Sequence, residues 1–134
     1  MNISIPKIVK KIELAGYAPE FGEACLEVWV NPPARALDRL RTAKQKVYEL
    51  DIPKRELTPE EKSHIEAVIH DSYEEQMAVY AELLGQGCAE TRLGVEDLKQ
   101  MVEGTLETDP MFWGWVQAQI VELINDHRGT AKKG

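Results

Sequence analysis

The stretch that decides the fold is TPEEKSHIEAVIHDSYEEQMAVYAELL, residues 58–84. Thr58 stands where a helix N-cap should be, Pro59 suits the first turn, and Glu61 lies three residues after the cap, the pattern of a capping box. Glu60 and Glu61 also oppose the positive end of a helix dipole. Ile65, Val68, Ile69, Ser72, Gln76, Val79, Tyr80 and Leu83 then recur at helical spacing, and Tyr73, Met77 and Leu84 widen the same face. The pattern predicts one long helix ending at Leu84, with Gly85 as its stop.

Working outward toward the N-terminus, a second helix is predicted from Pro33. Leu37, Leu40, Ala43, Val47 and Leu50 form a narrow apolar stripe at three- and four-residue steps. Arg35, Arg39, Lys46 and Glu49 occupy the other faces, and Asp51-Ile52-Pro53 ends the run. Before it the character changes. Ile3, Ile5, Ile8, Val9 and Ile12 are β-branched, and Cys25–Val30 reads as a short strand stopped by Asn31-Pro32-Pro33. The Gly- and Pro-punctuated segment 15–22 lies between them. Two antiparallel strands joined by a long loop are expected, a pair that must pack on something to persist.

Toward the C-terminus, Gly85–Thr91 reads as a loop or a frayed helix end. Val95, Leu98, Met101, Val102 and Leu106 mark a short helix. Asp109-Pro110 opens a last helix, carrying Met111, Phe112, Trp115, Val116, Ile120, Leu123 and Ile124 and expected to end near Asp126–Arg128. The fold class is therefore mainly α: a bundle of about four helices with a short N-terminal β-hairpin. A single domain is expected over 1–134, with a β-rich segment at 1–32, a helical region at 33–128 and a flexible polar tail at 129–134.

The totals narrow the function. Sixteen Lys and Arg against 23 Asp and Glu give a net charge of −7, and 43% of residues are hydrophobic. An acidic balance opposes binding to nucleic acid or an anionic membrane, because both need cations. Lys7, Lys10 and Lys11 cluster, as do Arg35, Arg39, Arg41, Lys44 and Lys46; such runs usually form solvated faces. No apolar run approaches the roughly 18 residues of a membrane span, and Met1–Lys11 lacks a signal-peptide core, so a cytoplasmic protein is expected. Cys25 lies in an apolar run and is expected to be a buried thiol, and neither it nor Cys88 sits in a CxxC pair.

Catalytic constellations are not visible in the sequence. There is no GxGxxG, GxxxxGK[ST], HExxH or EF-hand loop. His64 and His70 are six residues apart, about 240° around one helix, so they cannot chelate one ion from it. No enzyme, cofactor or metal is expected. The aromatic residues are more informative. Trp113 stands about 160° around the last helix from Trp115, which widens that helix's apolar arc toward Ile120 and Ile124. An arc this wide exceeds what one neighbouring helix covers. It lies deep in the chain's own bundle or remains available to a protein partner, for which Trp is well suited.

The layout resembles a known family. A β segment ends Val28-Trp29-Val30-Asn31-Pro32-Pro33, a basic amphipathic helix follows, and the last helix opens Asp109-Pro110-Met111-Phe112-Trp113-Gly114-Trp115 and closes Leu123-Ile124-Asn125-Asp126-His127-Arg128. This arrangement resembles the tail assembly chaperones of long-tailed bacteriophages and prophages, over most of the chain and in layout rather than by a diagnostic motif. The resemblance implies a helical protein of the host cytoplasm that coats the long tape measure protein, keeps it soluble and helps recruit tail tube subunits. It carries no catalytic residue. It also implies that a longer form arises by ribosomal frameshift, with Lys132-Lys133-Gly134 suiting the short form. The expected protein-binding residues are Trp113, Ile120 and Ile124 on the last helix and Leu37, Leu40 and Val47 on the basic one. A homo-oligomer is left open. The alternatives are a structural phage component, such as a head–tail connector or tail-completion protein, and a small acidic regulator or inhibitor.

Overall fold

In the computed structural model, residues 3–87 and 92–133 are described, the side chains of 130–133 excepted. Two strands and four α-helices are present among them: β1 (Val9–Glu13), β2 (Cys25–Trp29), α1 (Ala34–Tyr48), α2 (Pro59–Leu84), α3 (Val95–Thr108) and α4 (Met111–Lys133). The mainly α fold with a short N-terminal β-hairpin is therefore present. The chain forms two compact units. One comprises 1–32 with 81–134, and the other Pro33–Tyr80.

In the first unit β1 and β2 pair antiparallel, with Val9 opposite Trp29 and Ile12 opposite Leu26. Strand alternation sends Ile12, Leu26 and Val28 to a buried face. Asn31 extends the pairing past the strand end. Its side-chain oxygen accepts from the Ile8 amide at 2.7 Å, and its side-chain nitrogen donates to the Pro6 carbonyl at 2.9 Å. Ile3 and Ile5 lie outside the ladder, 81% and 78% exposed. Helix α4 packs against both strands and against α3, burying Phe112, Val116, Ile120 and Ile124. The loop between the strands folds as two 3₁₀ turns, Leu14–Gly16 and Pro19–Phe21, with Gly22 at φ +61°, where only glycine sits without strain. Tyr17 and Phe21 of that loop lie on Phe112, at ring separations of 5.3 and 5.5 Å. The Tyr17 hydroxyl donates to Asp109, and this hydrogen bond raises its pKa. Trp29 is the exception to good pairing: its Nε1 is buried with no hydrogen-bond partner, under the Lys7 ammonium 4.7 Å from the ring.

In the second unit α1 and α2 run antiparallel. The Ser72 hydroxyl donates to the Ala43 carbonyl at 2.5 Å, and Arg39 Nε donates to Glu75 at 2.6 Å. The capping box at the start of α2 forms as the sequence predicts. The Glu61 amide donates to Thr58 Oγ1 at 3.1 Å, and the Thr58 amide donates to the Glu61 carboxylate at 3.0 Å.

Several boundaries differ from expectation. Pro33 is the N-cap of α1, not its first residue, and α1 ends at Tyr48 rather than Leu50. Helix α4 continues through Gly129 to Lys133, where a polar tail was expected. Glycine inside a helix costs about 1 kcal/mol relative to alanine, and no proline follows to enforce a stop. Gly85 does end α2: a Cβ there would stand 2.6 Å from the Ala81 carbonyl oxygen. Cys25 is half-buried rather than buried. The expectations for Cys88 and for the loop over 88–91 lie outside the described residues.

Candidate protein-docking surface

The second unit is unusual in what it leaves uncovered. From Lys44 through Asp71 no side chain is buried. That span nonetheless carries Val47, Leu50, Leu57, Ile65 and Val68 half-buried, with Tyr48 90%, Ile52 54% and Ile69 45% exposed. Single exposed apolar residues are ordinary; a span that carries several and buries none is a candidate interaction surface. The buried positions of α1 are Ala36, Leu40 and Ala43, so its inner line runs through Leu40 toward Val47, and Leu37 sits off to one side.

Helix geometry gives α1 two outer sides. Arg35, Arg39, Thr42 and Lys46 follow one another by four, three and four residues and so share a side. They line a cleft of about 560 Å³ with Asp71 and Glu75 of α2. Cations and carboxylates face each other there, and Arg39 is already paired with Glu75. The second side lies about 200° around and carries Leu37, Arg41, Lys44 and Tyr48 at the same steps. With Leu40 and Gln45 these line a shallow groove of about 380 Å³. Its lining has two cations and no carboxylate. Lys44 is half-buried, which pushes its pKa down, and its ammonium stands 5.5 Å from the centre of the Tyr80 ring.

The expected binding residues therefore separate into two groups. Leu37 and Leu40 come together in the α1 groove. Val47, also half-buried, lies on the inner line beyond it. Tyr48, the most exposed large side chain of the groove, was missed, although its position eleven residues after Leu37 extends the same stripe. On α4 the expectation of an open edge is corrected. Trp113, Ile120 and Ile124 are only 7%, 1% and 4% exposed. The wide arc is absorbed because α4 has two neighbours at different angles, the sheet and α3, instead of one. What α4 leaves outside is a different line: Met111, Gly114, Ala118 and Val121.

Among the described residues no three His, Cys, Asp or Glu side chains cluster as a metal site. His70 lies 3.9 Å from Glu74 within one helix. Among the described residues no helix is long and apolar enough to cross a membrane. Comparison with known protein families, with curated proteins and with solved structures gives no match to this chain.

Proposed function

We propose that this chain is a binding protein, specifically a tail assembly chaperone of a long-tailed phage or prophage. In this reading it holds the tape measure protein soluble and helps recruit tail tube subunits. The observation that supports the binding role is the helical hairpin. The end of α1, the first half of α2 and the connection between them, from Lys44 to Asp71, carry apolar side chains and bury none of them. Helices of this kind gain most of their stability from packing an apolar face, so a partner completes what the chain leaves open. The assignment to phage tails is supported by the resemblance in layout, from the Val28–Pro33 strand end to the Asp109–Trp115 helix start. Many copies along one long helix would gain from multivalency, each contributing little.

Co-expression with the long helical protein encoded beside it tests the reading. The expected result is a soluble complex from a partner that aggregates when expressed alone. A partner equally soluble and monomeric without this chain overturns it. An assembly chaperone is also expected to be absent from purified virions, whereas a connector or tail-completion subunit remains in them.

A further inference from the structure

The loop between the strands and the start of α4 build an aromatic cluster that stays partly open. Phe21 stacks on Phe112, the two rings 24° apart in plane, so one face of Phe21 is covered while the residue as a whole remains 39% exposed. Tyr17 and Trp115, both half-buried, lie against the same Phe112. Met111 stands one turn before Trp115 and is 73% exposed. The charge beside this face has one sign. From Ile12 to Ala24 and from Gln100 to Asp126 the sequence has no Lys or Arg. Glu20 adjoins Phe21, and Glu107 lies two residues before Asp109. Both are exposed, and among the described residues neither pairs with a cation. Asp109 accepts from the Tyr17 hydroxyl and from the Met111 amide, but those donors are neutral and leave its charge in place. Lys11 lines a different cavity, with Glu13 and Glu23. Elsewhere the chain covers rings with its own cations, Lys7 over Trp29 and Lys44 beside Tyr80. Among the described residues no ring of this cluster is covered that way.

We propose that this face docks a segment of a partner protein that presents an arginine beside an apolar anchor. A guanidinium lies flat on an aromatic ring and at the same time forks to a carboxylate, and Phe21 with Glu20 offers that pairing at adjacent positions. Asp109 can join, because an ionised carboxylate has about four lone-pair sites and the two neutral donors use part of them. Met111 receives the apolar anchor; its unbranched thioether adapts to irregular contact. Gly114, one turn along the exposed line of α4, has open space where a Cβ would stand, which lets the anchor approach closely. The carboxylates repel a nucleic-acid backbone. A second copy of this chain is the poorer occupant, since its Arg39, Arg41 and Arg55 already pair with carboxylates of their own chain. The inference goes beyond the chaperone reading and does not rest on it: every residue involved belongs to the first unit, and the hairpin to the second.

The test uses the full chain and two labelled peptides of about 12 residues. Both carry the same Leu and Met anchors, flanked by Arg in one and by Glu in the other. Fluorescence anisotropy is expected to show the Arg peptide binding roughly tenfold tighter at low salt, with the preference shrinking at about 0.5 M salt. Phe21→Ala is expected to weaken the Arg peptide at both salt concentrations. Glu20→Lys with Glu107→Lys is expected to abolish the preference while circular dichroism stays unchanged. Glu122→Lys with Asp126→Lys makes the same change in net charge at exposed positions further along α4 and is expected to keep it. Equal binding of the two peptides, no binding of the Arg peptide, or a Phe21→Ala chain that binds as the parent does overturns the proposal. Equal loss in the two double variants also overturns it, because net charge and not this face then sets the preference. So does salt-sensitive self-association that Glu20→Lys with Glu107→Lys abolishes, because the occupant is then a second copy.

Discussion

At the scale of single residues, the start of α2 concentrates the clearest electrostatics in the molecule. Glu61 accepts two hydrogen bonds from Arg55, each at 2.8 Å, and one from the Thr58 amide. The Arg55 guanidinium first, and the backbone amide second, hold its carboxyl down to about 2. A carboxyl whose folded pKa is depressed stabilises the fold above its unfolded value, near 4.3, and that contribution is lost as pH falls toward the folded value. Thermal melts between about pH 5 and pH 2 should therefore show a stability loss that Glu61→Gln makes shallower. Parallel profiles for the two proteins would contradict the assignment. Ser72 makes a second local test. Its buried hydroxyl donates to the Ala43 carbonyl and accepts from Gln76 at 3.0 Å, tying α2 to α1. Ser72→Ala should cost about 1–2 kcal/mol in denaturant unfolding, because Gln76 loses an acceptor and the helices lose their polar tie.

At the scale of elements, α4 shows what periodicity reveals and what it withholds. The sequence marks its start correctly: the Met111 amide donates to Asp109 Oδ1 at 3.1 Å, and that contact is local. The capping box of α2 and the Gly85 stop are legible for the same reason, since each depends on residues within one turn. The fate of Trp113 depends instead on how many elements surround α4, which no window of sequence contains. Two neighbours bury an arc that one would leave open. Trp113→Ala should accordingly cost about 3–5 kcal/mol, read from chemical denaturation. Val121→Ser, on the exposed line 48% accessible, should stay within about 0.5 kcal/mol. The reverse ranking would mean that α4 presents its indole outward.

At the scale of the whole molecule, the division into two units was not legible. Periodicity treats α2 as one uninterrupted amphipathic helix, yet the unit boundary falls between Tyr80 and Ala81, inside it. Burial explains the change in character along that helix. Met77, Val79, Tyr80, Ala81, Leu83 and Leu84 are buried, whereas nothing from Pro59 to Asp71 is. The groove on α1 was half legible. Leu37 and Leu40 stood out as stripe residues, but which edge of the stripe turns outward is fixed by the pairing of Ala43 with Ser72. Unequal burial should produce unequal local stability. Amides of Lys44–Asp71 in the free protein should exchange hydrogen faster than those of α4 between Val116 and Ile124. The most direct measurement is that exchange experiment repeated on the complex recovered from co-expression. Slowed exchange concentrated in α1 and in α2 up to Asp71 is the predicted result. Protection appearing elsewhere, with the hairpin exchanging as in the free chain, would contradict the claim that the hairpin is where partners bind.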